Sequence, residues 1–141
     1  VKIKDVLRGK GNQVVTISPE ATVTELLALL ADHNIGAVVV SPDGSSVAGI
    51  VSERDIVRLW NGTPDAGDVR VSSIMTSEVA TCSPDEHIDN LMRLMTDRRI
   101  RHVPVVVDGA LVGLVSIGDV VKSRIGELEF EREQLSNYIT R

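Results

Sequence analysis

The 141-residue sequence predicts a mixed α/β (α+β) fold in which two β-α-β-β-α units follow one another, sheets packed with helices, and a long helix ends the chain. Three observations predict it. Gly49-Ile50-Val51-Ser52-Glu53-Arg54-Asp55 and Gly113-Leu114-Val115-Ser116-Ile117-Gly118-Asp119 set Gly, Ser and Asp at one offset, 113 against 49, 116 against 52 and 119 against 55. Upstream, Thr16-Ile17-Ser18-Pro19 pairs with Thr81-Cys82-Ser83-Pro84 and Ile35 with Ile100, one residue further apart, as a longer hairpin loop in the first copy requires. The same order of β-branched runs and helical apolar stripes recurs in both copies, and after Val121 the spacing changes to a single long stripe. A copy of about 60 residues is marginal alone, so the two share a core and function is sought where they meet.

In the first copy Val14-Val15-Thr16-Ile17 is β-branched and short, hence a strand ended by Ser18-Pro19. Thr22-Val23-Thr24-Glu25 has capping-box spacing, and Val23, Leu26, Leu27 and Leu30 recur at helical intervals to about His33. Asn34 and Gly36 stop that helix. Ile35 to Val40 and Val47 to Val51 are strands around a Pro42-Asp43-Gly44 hairpin, and a helix carrying Ile56, Val57, Leu59 and Trp60 begins near Ser52.

The second copy follows suit. Glu78 to Thr81 is a strand, Ile88, Leu91, Met92 and Met95 mark a helix, Val103 to Val107 and Leu111 to Val115 flank Asp108-Gly109, and a helix starts near Ser116. Beyond it Val121, Ile125, Leu128, Leu135, Tyr138 and Ile139 form a near-heptad stripe interrupted at Arg132. Such a stripe suits a partner subunit, the alternative being a helix folded back on its own module. The expected divisions are 1–61 for the first unit, 62–70 for the linker, 71–123 for the second unit and 124–141 for the C-terminal helix.

Composition removes several function classes. The chain is 43% hydrophobic but 2% aromatic, so Val, Ile, Leu, Ala and Met build the core and no row of aromatic platforms is available to stack bases. A net charge of −5 argues against a nucleic-acid partner, with Asp97 to His102 the one basic candidate patch. The single Cys82 forms no intrachain disulfide or cysteine zinc cluster and is expected as a small buried strand residue. His33 and His87 lack metal-ligand spacing, so no metal is expected. No apolar run approaches a membrane span and no signal segment is evident, so a cytoplasmic location without membrane association is expected. With no nucleophile-base pair and no Walker or Rossmann glycine loop, the sequence reads as a non-enzyme without a catalytic cofactor.

These residues resemble the cystathionine-β-synthase (CBS) domain, whose usual form is a tandem pair of β-α-β-β-α units related by a pseudo-two-fold. The glycine, two apolar residues, Ser/Thr, two residues and Asp at the third-strand-to-helix junction occur twice in phase. Asp5-Val6-Leu7 and Ser73-Ile74-Met75 resemble the lead-in before each unit, and Ile117-Gly118-Asp119-Val120-Val121-Lys122 resembles small stand-alone pairs that bind adenine nucleotides. The resemblance implies a regulatory module that senses energy or redox status by binding AMP, ADP, ATP, NAD(H) or S-adenosylmethionine, and a homodimer.

It also implies two clefts. One joins Ile50, Ser52 and Asp55 to Val79, Ala80, Thr81, Ile100, Arg101 and His102. The other joins Leu114, Ser116 and Asp119 to Val15, Thr16, Ile35, Gly36 and Ala37, with Lys10 in reach.

The chemistry of these residues fits. A carboxylate accepts two hydrogen bonds at once, so Asp55 and Asp119 suit the vicinal hydroxyls of a ribose. Ser52 and Ser116 stand at helix N-termini, where free N–H groups favour phosphate. Strand ends rich in Ile, Val and Ala offer an adenine slot. Ser-x-x-Asp is equally an ordinary helix cap, Arg101 and His102 are equally strand-edge charges, and Arg54 and Lys122 are candidates to neutralise phosphate across a subunit contact. Arg101-His102 against Gly36-Ala37 makes the clefts unequal, the Asp55 cleft favouring phosphates and the Asp119 cleft open and less basic unless Lys10 supplies charge. The alternatives are an assembly adaptor with vestigial clefts and, less favoured, an enzyme.

Overall fold

The computed structural model describes residues 1–10 and 14–140. The elements in order are α1 (Ile3–Lys10), β1 (Thr16–Ile17), α2 (Val23–His33), β2 (Ala37–Val40), β3 (Gly49–Ser52), α3 (Glu53–Trp60), two short 3₁₀ turns at Ala66–Asp68 and Val71–Ser73, α4 (Ile88–Arg98), β4 (His102–Val107), β5 (Ala110–Ser116) and α5 (Ile117–Thr140). The first sheet runs β1-β2-β3, with β1 parallel and β3 antiparallel to β2, and the second pairs β4 with β5 antiparallel. Ala37 faces Ser52 across the first hairpin and His102 faces Ser116 across the second, so both Ser residues start their helices from equivalent places.

Local chemistry explains these boundaries. The Thr22 hydroxyl accepts the Glu25 N–H at 3.3 Å and caps α2. Both first helices stop on a left-handed residue, Asn34 at φ 52° and Arg99 at φ 55°. The following N–H then turns back, Ile35 to Leu30 O and Ile100 to Met95 O. Asn adopts this conformation readily; Arg does so at some cost. In the first hairpin the Asp43 carboxylate accepts the N–H groups of Ser45 and Ser46 at 2.9 and 2.8 Å, which holds it well below the usual carboxylate range and shapes the turn.

In place of the one shared core expected there are two clusters, which exchange their lead-in segments. Val23, Leu26, Leu30, Val38, Val51 and Ile56 of the first unit are packed with Val71, Ile74 and Met75, which begin the second. Ile88, Leu91, Met95, Val103 and Val115 of the second unit are packed with Ile3, Val6 and Leu7 from the start of the chain. Of the crossing residues Ile3 and Val71 are fully buried, each worth about 1.5–3 kcal/mol, and these tie the segments to the units they cross to.

The structure departs from the sequence reading in four further places. Val14 and Val15 are irregular, and β1 is limited to Thr16–Ile17. Glu78 to Thr81 forms no strand; instead Cys82 alone makes a parallel bridge to Val105, through Cys82 N–H to Pro104 O and Val106 N–H to Cys82 O. The next rung would need an N–H from Pro104, which has none. Val39 holds that position in the first unit and keeps its N–H, so β1 pairs over two residues. Ile35 and Gly36 precede β2 rather than joining it, and Val47 and Ala48 precede β3. Finally, the last helix of the second unit and the C-terminal stripe are one 24-residue helix about 36 Å long. Val120 is buried, but every residue from Leu128 to Ile139 is exposed, so this segment does not fold back on its module. Arg141, assigned by the sequence to that helix, lies outside the described residues, as do Gly11, Asn12 and Gln13.

Candidate functional site

At the first junction Asp55 lies one turn into α3, and its Oδ2 accepts both the Ser52 N–H at 2.9 Å and the Ser52 hydroxyl at 3.2 Å. The second junction repeats this, Asp119 Oδ2 accepting the Ser116 N–H and hydroxyl, each at 2.9 Å. The Ser-x-x-Asp motif is thus a helix cap in both units, and the described bonds to each carboxylate use one oxygen. A ligand can still be met by the other.

Beside Asp55 lies a cavity of about 400 Å³. Ile50, Ser52 and Asp55 line it together with Val79, Ala80, Ile100, Arg101 and His102, residues that the sequence assigned to one cleft. Thr81 does not line it and is exposed. Gly36, expected at the other cleft, lines this one because its carbonyl accepts the Glu53 N–H at 2.9 Å and is drawn to the start of α3. Sequence reasoning missed Glu53, Thr76, Glu78 and Arg99, and placed Arg54 at a subunit contact where it lines this cavity. Arg99 adjoins the recognised Arg101, and Thr76 directly follows the second lead-in, so both carried a signal. The result is a cleft with three arginines (Arg54, Arg99, Arg101) and three carboxylates (Glu53, Asp55, Glu78) around an apolar floor.

The second cleft is different. Its cavity is about 80 Å³, lined by the expected Lys10, Val15, Ile35, Ala37 and Leu114 together with Leu7, Val14, Val112 and Gly113. Thr16, Gly36, Ser116 and Asp119 do not line it. The expectation of an open cleft here is corrected: Lys10 Nζ donates to Asp119 Oδ2 at 2.7 Å and to Leu114 O at 2.6 Å, so both groups already have a partner within the chain. Burial pushes the Asp119 carboxyl up, but the Lys10 and Ser116 bonds outweigh it and hold it below the usual carboxylate range. His102 stands between the clefts, half-buried on the wall of the first. Burial, then the charge of Lys10, lower its pKa against the pull of Asp119, with Arg101 adding to the lowering.

Cys82 is buried, and burial, followed by the Glu86 charge, pushes its thiol up to about 12, which makes it a poor nucleophile. No group of three or more His, Cys, Asp or Glu among the described residues is placed to hold a metal ion, and none of their helices is long and apolar enough to cross a membrane.

Two sheet-and-helix units, each with a Ser-x-x-Asp helix start and with one cavity lined by residues of both, define a tandem two-unit module. Residues 3–62 and 71–126 match the CBS domain, and the chain belongs to that family. The CBS-domain containing protein ATU1752 from Agrobacterium tumefaciens superposes with a TM-score of 0.81 at 45% identity, over 88% of this chain and 99% of that one. The mitochondrial CBS domain-containing protein CBSX3 of Arabidopsis thaliana is 37% identical, covering 97% of this chain and 71% of its own. The CBS domain pair of protein MJ0100, in complex with 5′-methylthioadenosine and S-adenosyl-L-methionine, superposes with a TM-score of 0.79 at 26% identity over 90% of this chain and 98% of that pair.

Proposed function

We propose that the chain is a regulatory module whose first cleft binds a 5′-phosphorylated adenosine ligand, AMP, ADP, ATP or NAD(H), and reports it to a partner through a change of shape or association. The observation that carries this is the cavity of about 400 Å³ between the units, in which Asp55 at the start of α3 shares one space with Arg54, Arg99 and Arg101. Its size falls within the roughly 300–1,000 Å³ of small-molecule sites. A ribose diol bonds to the Asp55 carboxylate, the adenine ring lies among Ile50, Val79, Ala80 and Ile100, and the phosphate takes the helix N-terminus, the Ser52 hydroxyl and the arginines. The adenosine ligands of the MJ0100 pair support the nucleoside part of this reading. The arginines favour a phosphate over an uncharged or cationic 5′ group.

The module works as a homodimer. The exposed apolar side chains of α5, with Phe130 at 62%, Leu135 at 63% and Ile139 at 79% exposure, support this, being far more apolar surface than a solitary helix leaves to water.

Mass spectrometry of small molecules that co-purify with the protein, followed by calorimetry with AMP, ATP, NAD, NADH, adenosine and S-adenosylmethionine, tests the assignment. Tight binding of a phosphorylated member, lost in Asp55→Ala, is expected. A protein that binds none of the six is not an adenosine sensor.

A further inference from the structure

The two clefts begin from equivalent chemistry and end unlike. Asp55 and Asp119 are capped alike, each taking the Ser N–H of its own junction at 2.9 Å on Oδ2. Besides Arg101-His102 against Gly36-Ala37, they differ in the segment that crosses each cleft. Leu7 crosses Gly113, where an added Cβ would lie 2.5 Å from its Cδ2, and Met75 crosses Gly49, where an added Cβ would lie 2.9 Å from its Sδ. Leu7 and Met75 are therefore counterparts, and three residues beyond them stand Lys10, at the end of α1, and Glu78, in the irregular segment that follows the Ile50–Thr76 bridge. Lys10 ends α1, whose Ile3, Val6 and Leu7 are fixed in the second core, so its ammonium is delivered to Asp119 from an anchored helix. Glu78 lines the first cleft, and a carboxylate there cannot pair with Asp55.

We infer that Lys10 is a built-in occupant of the second cleft, its ammonium taking the Asp119 carboxylate and the Leu114 carbonyl that a nucleoside would use, and that the charge three residues beyond the crossing, Lys10 in one cleft and Glu78 in the other, decides which cleft admits ligand. The inference rests on the reading of the first cleft as a nucleotide site. It accounts for the fivefold difference in cavity size, about 80 against about 400 Å³, between two halves of one repeat. It also inverts the simplest view of a lysine at a phosphate-binding cleft: here the cation competes with the ribose end of a ligand and does not welcome its phosphate.

Calorimetry with AMP on the full chain tests it with four variants. The parent is expected to bind one equivalent, Asp55→Ala none, Lys10→Met two, and the Lys10→Met/Asp55→Ala double variant one. Glu78→Lys is expected to place a cation against Asp55 and to weaken the first cleft by at least tenfold. A double variant that binds nothing, a parent that already fills two clefts of similar affinity, or a Glu78→Lys chain that binds as the parent does overturns the inference. Carbon-detected NMR titration of the Asp119 carboxyl without nucleotide gives an independent reading. Its midpoint is expected to rise in Lys10→Met, and an unchanged midpoint overturns the contact itself. If the parent binds no AMP while the Asp119 midpoint does move, the nucleotide assignment fails and the internal occupancy stands.

Discussion

Ile50 and Thr76 exchange two backbone hydrogen bonds, Ile50 N–H to Thr76 O at 2.9 Å and Thr76 N–H to Ile50 O at 2.8 Å. This bridge lays the second lead-in across β3, and the residue beside it must be small. A Cβ on Gly49 would stand 2.6 Å from the Thr76 carbonyl oxygen, a backbone atom already fixed by the bridge. At the matching Gly113 the nearest obstacle is the Leu7 side chain, which has rotamers to use.

Gly49→Ala is therefore expected to destabilise the fold by about 2–3 kcal/mol and Gly113→Ala by about 1 kcal/mol or less, although both are glycines of the same repeat. Urea unfolding of the two variants beside the parent measures this. Equal costs would mean that backbone and side-chain obstacles are met in the same way, contrary to the geometry.

The repeat carried most of what could be read in advance. Gly, Ser and Asp at one offset located both helix starts, and Ile50, Ser52 and Asp55 line one cavity with Ile100, Arg101 and His102. What escaped was decided between segments distant in sequence. Pro104 suppresses the Glu78 to Thr81 strand by withholding an N–H, a fact visible in the letters only once the parallel register with Cys82 is known. Likewise Lys10 looked like a source of charge for a ligand, because nothing local says that α1 packs on the second core and sends its last side chain to Asp119, 109 positions away.

Asp55 and Arg101 should act on different ends of the ligand. Asp55→Ala removes bonds to the ribose and one member of the α3 cap, so it is expected to weaken AMP and adenosine alike by about 100-fold or more, beyond detection by calorimetry, and to cost about 1 kcal/mol of stability. Arg101→Ala is expected to weaken AMP by roughly 10-fold while sparing adenosine, and to reduce the salt dependence of AMP binding. Calorimetry with both ligands at low and high salt separates the two. Equal losses of AMP and adenosine in Arg101→Ala would remove the arginine from the phosphate.

His102 should give the fold a mild dependence on pH. Burial and the Lys10 charge, reinforced by Arg101 and opposed by Asp119, lower its pKa from 6.5, so just below that pH the unfolded chain holds more protons than the folded one. Stability is thus fully present above about pH 6.5 and declines as the solution is acidified through the folded value. His102→Asn is expected to flatten this decline, read as the change in urea midpoint between about pH 5.5 and pH 7.5. A variant whose midpoint falls with acid as steeply as the parent's would assign the effect to other groups.

The exposed end of α5 should govern association without supporting the fold. Val120 anchors the helix in the second core, and the Arg124–Glu127 pair at 2.8 Å lies before the exposed stretch. Phe130, Leu135, Tyr138 and Ile139 lie beyond both and pack on neither core cluster. Truncation after Glu129 removes those four side chains and leaves each of the named core contacts in place. The parent is expected to be a dimer at micromolar concentration, and the truncated chain to dissociate at least tenfold more readily while keeping its circular dichroism and its AMP affinity. Sedimentation or light scattering over a dilution series reads this directly. Because a dimer gains stability with concentration, the parent's melting temperature should rise with protein concentration and the truncated chain's should rise less over the same range. A monomeric parent, or a truncated chain that associates as tightly, would return the apolar stripe of α5 to some other partner.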